Sequence, residues 1–255
     1  MASLLFVAGH GSGAGKSTVC LAVLYHLLEQ GVPAEELAYI KPATQCESVT
    51  DVAAFCAARR IEAVPVGPVV FRKGFTNSIL RDEQQDEKSA ELMTSIKAAV
   101  KSVSDGRRFV VIDGVGYPSV GSCCGLGNAT VAAALGAPIL LVGPPGLGDC
   151  IDTFDLMLTY FNAKGARVAG AIVNRLEDTE RHAVSDVLPL VEQWFKKQRP
   201  WIDFLGGIPP VGRVAPDGTV KDAEAFASEV HAAAVKHTQM PRFVGTMRQN
   251  AAEPH

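Results

Sequence analysis

Nothing in this sequence approaches the about 20 consecutive apolar residues that a bilayer-spanning helix needs, although 47% of its 255 residues are hydrophobic. A basic excess is missing too: 24 lysines and arginines face 27 acids, for a net charge of −3. A chain so balanced offers no cationic face, and nucleic acid is not expected as a partner. The N-terminus carries no basic region and no cleavage site, and its first apolar run is needed as a strand, so no signal peptide is read there. The six cysteines (Cys20, Cys46, Cys56, Cys123, Cys124, Cys150) form no C-x-x-C pair and have no histidine at metal-ligand spacing. Idle thiols in a reducing compartment follow, and a cytoplasmic location without membrane contact is expected. Repeats, low-complexity segments and interdomain linkers are likewise missing. What is left can bury one large core, with a single domain expected over residues 1–237 and a polar, loosely held tail over 238–255.

The most informative stretch is Gly9-His10-Gly11-Ser12-Gly13-Ala14-Gly15-Lys16-Ser17-Thr18, which follows the apolar run 4–8 and precedes a helical pattern. A strand, a glycine-rich turn and then Lys-Ser opening a helix form the context of a phosphate-binding loop. Backbone N–H groups of such a turn, with the helix N-terminus, make a concave anion site. Gly11, Ser12, Gly13, Ala14, Gly15, Lys16, Ser17 and Thr18 are therefore candidate nucleotide-binding residues. Lys16 is placed to reach the β- and γ-phosphates, and the Ser17 hydroxyl to take Mg²⁺. The spacing is irregular, since the first glycine falls at Gly9 where the common pattern would put it at His10. A glycine-rich turn with a merely exposed lysine is the competing reading. Lys-Ser directly after the last glycine favours a triphosphate over a dinucleotide.

Strand and helix patterns alternate along the rest of the chain. Further strands are read at 37–40, 108–113, 138–142, 167–173 and 204–208, with a short strand or extended piece at 66–71. Helices are read at 17–30, 49–60, 89–103, 129–135, 150–162, 179–197 and 222–237, with 72–88 loop-rich. The order predicts an α/β protein: a three-layer αβα P-loop NTPase fold with a mostly parallel sheet covered by helices on both faces. Ligands of such sheets sit beyond the carboxyl ends of the strands, which singles out Gly9, Lys41, Asp113, Gly143 and Asn174.

Asp113 ends an apolar strand, which suits a second Mg²⁺ anchor, direct or through water. A turn aspartate serving Gly114 is the other role open to it. Asp51, at the start of a predicted helix, is either a further magnesium-site carboxylate or a first-turn acid favoured by the helix dipole. Lys41 is either a solvated lysine before Pro42 or a cation holding a carboxylate, carbamate or phosphoryl group where water is excluded. Cys123-Cys124 lies in a glycine-rich loop, where a nucleophilic pair is the alternative, but with no histidine nearby in sequence idle thiols remain the default reading.

Taken together these residues resemble the dethiobiotin synthetase group of P-loop enzymes, whose relatives include the cobyrinic acid a,c-diamide synthases. The resemblance covers about residues 3–211. Gly9-x5-Gly15-Lys16-Ser17 matches that group's longer loop spacing, and Ile40-Lys41-Pro42 resembles its Lys-Pro element, whose lysine contacts carbamate and phosphate. Thr50-Asp51-Val52 resembles its magnesium-site aspartate, and Val111-Ile112-Asp113-Gly114-Val115-Gly116 its Val-Glu-Gly-Ala-Gly segment with aspartate for glutamate. Leu147-Gly148-Asp149-Cys150-Ile151 resembles a helix start of that group. Ala169-Gly170-Ala171-Ile172-Val173-Asn174 resembles the strand whose asparagine contacts adenine, and Gly207-Ile208-Pro209 the loop closing over the base. The resemblance implies ATP and Mg²⁺ as cofactors, Lys16 and Lys41 as catalytic residues, and Ser17, Asp51 and Asp113 as metal ligands. Asn174 and Pro209 would hold the base. It also implies a small-molecule amine or carboxylate substrate, a homodimer, and an ATP-dependent ligase or cyclase acting through a phosphorylated carbamate or carboxylate.

The chain departs from that pattern at Pro144-Pro145-Gly146, where a lysine is missing, at Tyr117-Pro118-Ser119-Val120-Gly121, and at Asp149, which is inserted at a helix start. A carboxylate there repels a substrate carboxylate. An ATP-binding protein with an altered or lost substrate pocket therefore stays open. So does a nucleotide switch of the MinD/ParA kind, although Gly11 occupies the place of the extra lysine those proteins carry.

Overall fold

A computed structural model describes residues 2–45, 47, 48, 50–177, 184–215 and 218–252, without the side chains of 248–252. Its first strand, β1 (Ser3–Gly9), is apolar between its ends, and strand alternation sends successive side chains to opposite faces. Leu5 and Val7 enter one core cluster, Phe6 and Ala8 the other. Around β1 run β2 (Leu37–Ile40), β4 (Glu62–Val64), β6 (Phe109–Asp113), β7 (Ile139–Gly143), β8 (Val168–Asn174) and β9 (Asp203–Ile208). Among the described residues these make a seven-stranded sheet of order β4-β2-β6-β1-β7-β8-β9. Every pairing in it is parallel.

One face is covered by α1 (Lys16–Glu29), α2 (Asp51–Arg59), α8 (Ala223–His237) and α9 (Met240–Ala252). The other is covered by α4 (Gln85–Ser104), α5 (Asn128–Leu135), α6 (Gly148–Ala163) and α7 (Val184–Gln198). The three layers are those expected from the alternating pattern. Local signals set the helix ends. Gly31, at φ +75, closes α1 as its N–H bonds the Leu28 carbonyl. The Thr50 hydroxyl caps α2 by accepting from Ala53 N–H at 3.3 Å, and Asp222 caps α8 through Ala225 N–H at 2.7 Å.

From β1 the chain crosses to β2 on one side, and from β6 it passes over β1 to β7 on the other. The carboxyl ends of β1 and β6 therefore flank the point where the connections diverge, the usual crevice for ligands of open α/β sheets.

Several expectations need correction. Within the short strand or extended piece read at 66–71, only β5 (Val69–Val70) is strand, and it pairs with β3 (Ala43–Thr44) in a separate ladder. One of the sheet's two edge strands is β4, which the sequence pattern does not reveal, because three residues beginning with an exposed glutamate give no apolar run. The loop-rich stretch 72–88 holds α3 (Phe75–Leu80), and α4 starts at Gln85 rather than at 89. The loose tail is instead α9, which buries Met240, Phe243 and Val244 at helical spacing within a polar segment. Residues 179–183 of the helix read at 179–197, Val49 of that read at 49–60, and Cys46 lie outside the described residues.

Candidate functional site

The loop after β1 turns into α1 at Gly15, at φ +88. No side chain caps this helix start and no acid lies in its first turn. Its first N–H groups, which have no partner inside the helix, and the positive end of its dipole are thus left to an anion. Glycine is required at position 15 for more than its dihedral. A Cβ there would sit 1.8 Å from Nδ2 of Asn174, at the end of β8. That amide instead donates to the Ala14 carbonyl at 2.9 Å and braces the loop.

Lys16 is buried, and its Nζ donates to the carbonyls of Gly11 and Gly116, both at 2.8 Å. Burial lowers its pKa from the usual lysine value, with Asp113 opposing the effect and Lys41 adding to it. Gly116 belongs to the loop after β6, which buried Asn128 pins. Val115 N–H donates to Asn128 Oδ1 at 3.0 Å, and Asn128 Nδ2 donates to the carbonyls of Val115 at 2.8 Å and Tyr117 at 3.1 Å.

Asp113 is fully buried at the end of β6. Its Oδ2 accepts from Ser17 Oγ at 2.7 Å, the Tyr39 hydroxyl at 2.8 Å and Lys41 Nζ at 3.3 Å. Its Oδ1 is buried with no hydrogen-bond partner among the described residues. Burial, with Asp113 beside it, pushes the Tyr39 phenol well above its usual pKa and keeps it a donor. Lys41, Lys16, Ser17, Ser12, Gly13, Gly15, Gly116 and Arg175 are among the residues lining a cavity of about 260 Å³ at this point. A cavity of about 590 Å³ lies at the amino end of β9, between α7 and α9, but none of the loop residues lines it.

The Asp113 carboxylate, with the Ser17 hydroxyl on its Oδ2 and its buried Oδ1 without a partner among the described residues, is a hard-oxygen setting that fits Mg²⁺. Among the described residues no group of three or more His, Cys, Asp or Glu could hold a metal. A site of this kind suits an ion that retains waters and takes phosphate oxygens.

The loop residues, Lys16, Ser17, Lys41 and Asp113 thus converge, whereas Thr18 is the half-buried third residue of α1. Two others are not brought to them. Asp51 opens α2 with its Oδ1 3.0 Å from Arg213 Nη2, and neither it nor Pro209 lines the cavity. Asp149 is exposed in the first turn of α6. Cys124 donates its thiol to the Gly121 carbonyl at 3.2 Å, and burial pushes its pKa up to about 11, which leaves little thiolate.

Tyr39, Asn128 and Arg175 were not anticipated. Arg175 carried the one usable signal, since it directly follows a strand-end asparagine; it is exposed, adopts φ +59 and borders the cavity.

Comparison with known proteins adds the following. A family model described as an AAA domain matches residues 3–220. No curated protein matches the chain. Chloroplast FtsY from Physcomitrella patens is similar in structure at a TM-score of 0.51 and 17% identity, over 90% of this chain and 65% of that one. The signal recognition particle receptor FtsY from Elizabethkingia anophelis gives a TM-score of 0.50 at 16% identity, over 90% of this chain and 64% of that one. The chain thus spans just under two thirds of the length of either FtsY. A plasmid partition protein from Borrelia burgdorferi gives 0.50 at 14% identity, over 92% of this chain and 99% of that one. At such identities the likeness is one of fold, and the shared fold is that of P-loop NTPases.

Proposed function

The chain belongs to the AAA domain family, and from that premise we propose that it binds ATP with Mg²⁺ and activates a small carboxylate or carbamate by phosphoryl transfer, as an ATP-dependent ligase or cyclase of the dethiobiotin synthetase kind. The observation that carries this reading is Lys41. It is a second ammonium on the rim of the phosphate cavity, with a side chain only 16% exposed, bonded to Asp113 and supplied by β2's end rather than by the loop. Holding a polyphosphate needs only the loop and Lys16. A second cation on the open side gives a reacting anion its own counter-charge.

In this reading the loop amides and the α1 N-terminus hold the β- and γ-phosphates, and Lys16 exchanges its carbonyl acceptors for phosphate oxygens. Ser17 and Asp113 hold the cation, which when bound neutralises charge on the transferring group. Lys41 then moves from Asp113 to the substrate anion. The bond from the γ-phosphorus to the ADP oxygen breaks as a substrate oxygen bonds to that phosphorus. A substrate amine next displaces inorganic phosphate. Asp51 and Pro209, which lie off the cavity, join the site only if a segment moves. Two copies of the chain would complete the substrate side.

The test is phosphate release from Mg-ATP with bicarbonate and a panel of diamines and amino acids. Substrate-dependent release that Lys41→Met abolishes, with ATP affinity retained, supports the ligase. ATP-driven dimerisation without any substrate-dependent release would replace it with a switch.

A further inference from the structure

Tyr39 is the group nearest to the proposed chemistry that the mechanism above leaves without a task. It lies in β2, whose neighbours β4 and β6 flank it, and its ring is fully buried. Tyr39 pairs in register with Val111, two residues before Asp113 and on the same face of β6. This register brings the phenol to Asp113 Oδ2 at 2.8 Å. The Ser17 hydroxyl and Lys41 share that oxygen, while Oδ1 keeps no partner among the described residues.

We infer that Tyr39 is a positioning residue for the cation: its hydroxyl holds Oδ2, so that the carboxylate plane is fixed and Oδ1 is the oxygen presented to the ion or its water. This inference rests on the cation-binding role proposed for Asp113. Of the donors on Oδ2, Ser17 has a second task at the cation and Lys41 one at the substrate anion. Once they take it up, Tyr39 is the donor that stays. A hydroxyl on a buried ring cannot follow a ligand, whereas a lysine can. Partners of metal-binding groups typically change metal affinity about 10- to 100-fold when removed.

Tyr39→Phe removes only the oxygen and keeps the ring in its packing. ADP binding is measured by calorimetry in EDTA and across a Mg²⁺ titration, beside Asp113→Asn and the unaltered chain. Tyr39→Phe should bind ADP in EDTA as the unaltered chain does, yet need about 10-fold more Mg²⁺ to reach its tight-binding form. A Mn²⁺ titration should shift in the same direction. If Asp113→Asn raises the Mg²⁺ requirement and Tyr39→Phe does not, the positioning role is overturned while the cation site stands. If neither variant changes it, the Asp113 cation site itself falls, and this role with it. Weaker ADP binding in EDTA, or a Tyr39→Phe chain that does not fold, would assign the hydroxyl to the fold alone and equally overturn the inference.

Discussion

At position 15 a missing side chain does two things at once: it lets the backbone adopt φ +88 and leaves room for the Asn174 amide. Gly15→Ala should cost about 1–2 kcal/mol from the left-handed conformation alone, with the clash against Asn174 in addition. Adding Asn174→Ala should recover the clash but not the dihedral cost, which denaturant unfolding of the single and double variants would separate. Lys16→Met removes the charged donor and should weaken nucleotide binding about 10- to 100-fold, from the about 1.5–3 kcal/mol of a hydrogen bond to a charged group. Calorimetry reads this directly, and an unchanged Kd would remove the loop from the account. Lys16, Ser17 and Asp113 were legible in the sequence because each is local: a spacing, or a carboxylate closing an apolar run. Tyr39 was not, since Leu37-Ala38-Tyr39-Ile40 reads as plain core. Its hydroxyl acquires a partner only when β2 and β6 become neighbours across 74 positions. Asn128 was hidden for the same reason, as its three bonds are to backbone of a loop whose course the sequence does not specify.

Among the elements, the longer helices and the longer strands followed from periodicity, and the misses are the elements too short or too polar to show it. β3 and β4 are too short to show alternation, and α9 hides few apolar residues among polar ones. Yet α9 is tightly packed. Phe243 stands so close to Gly170 of β8 that a Cβ there would lie 2.9 Å from its ring. Phe243→Ala should therefore destabilise the protein by about 3–5 kcal/mol, as large buried aromatics do. A denaturant midpoint indistinguishable from that of the unaltered chain would show that α9 contributes little to the core.

For the molecule as a whole, the seam between α1 and α8 links stability to pH. His26 Nδ1 and His231 Nε2 lie 3.2 Å apart, and the Tyr25 ring stacks on His231 with centroids 4.8 Å apart. Burial lowers the His231 pKa from its usual 6.5, with Glu29 opposing. The unfolded chain therefore takes up this proton before the folded one does. Stability is complete above the unfolded value of 6.5 and is lost as pH falls through the lower folded value. Thermal midpoints measured between about pH 8 and about pH 5 should drop toward acid, and His231→Gln should lessen that drop.

The phosphate-binding loop leaves from β1, the strand flanked by β6 and β7 whose side chains feed both hydrophobic clusters. Such a strand has no way to detach by itself, because parting it from either neighbour exposes apolar surface on both sides of the sheet. Its amide protons should be among the slowest to exchange with deuterated water. Nucleotide release would then fall to the turn and its brace, with the rigid mount beneath them kept intact each time a nucleotide leaves.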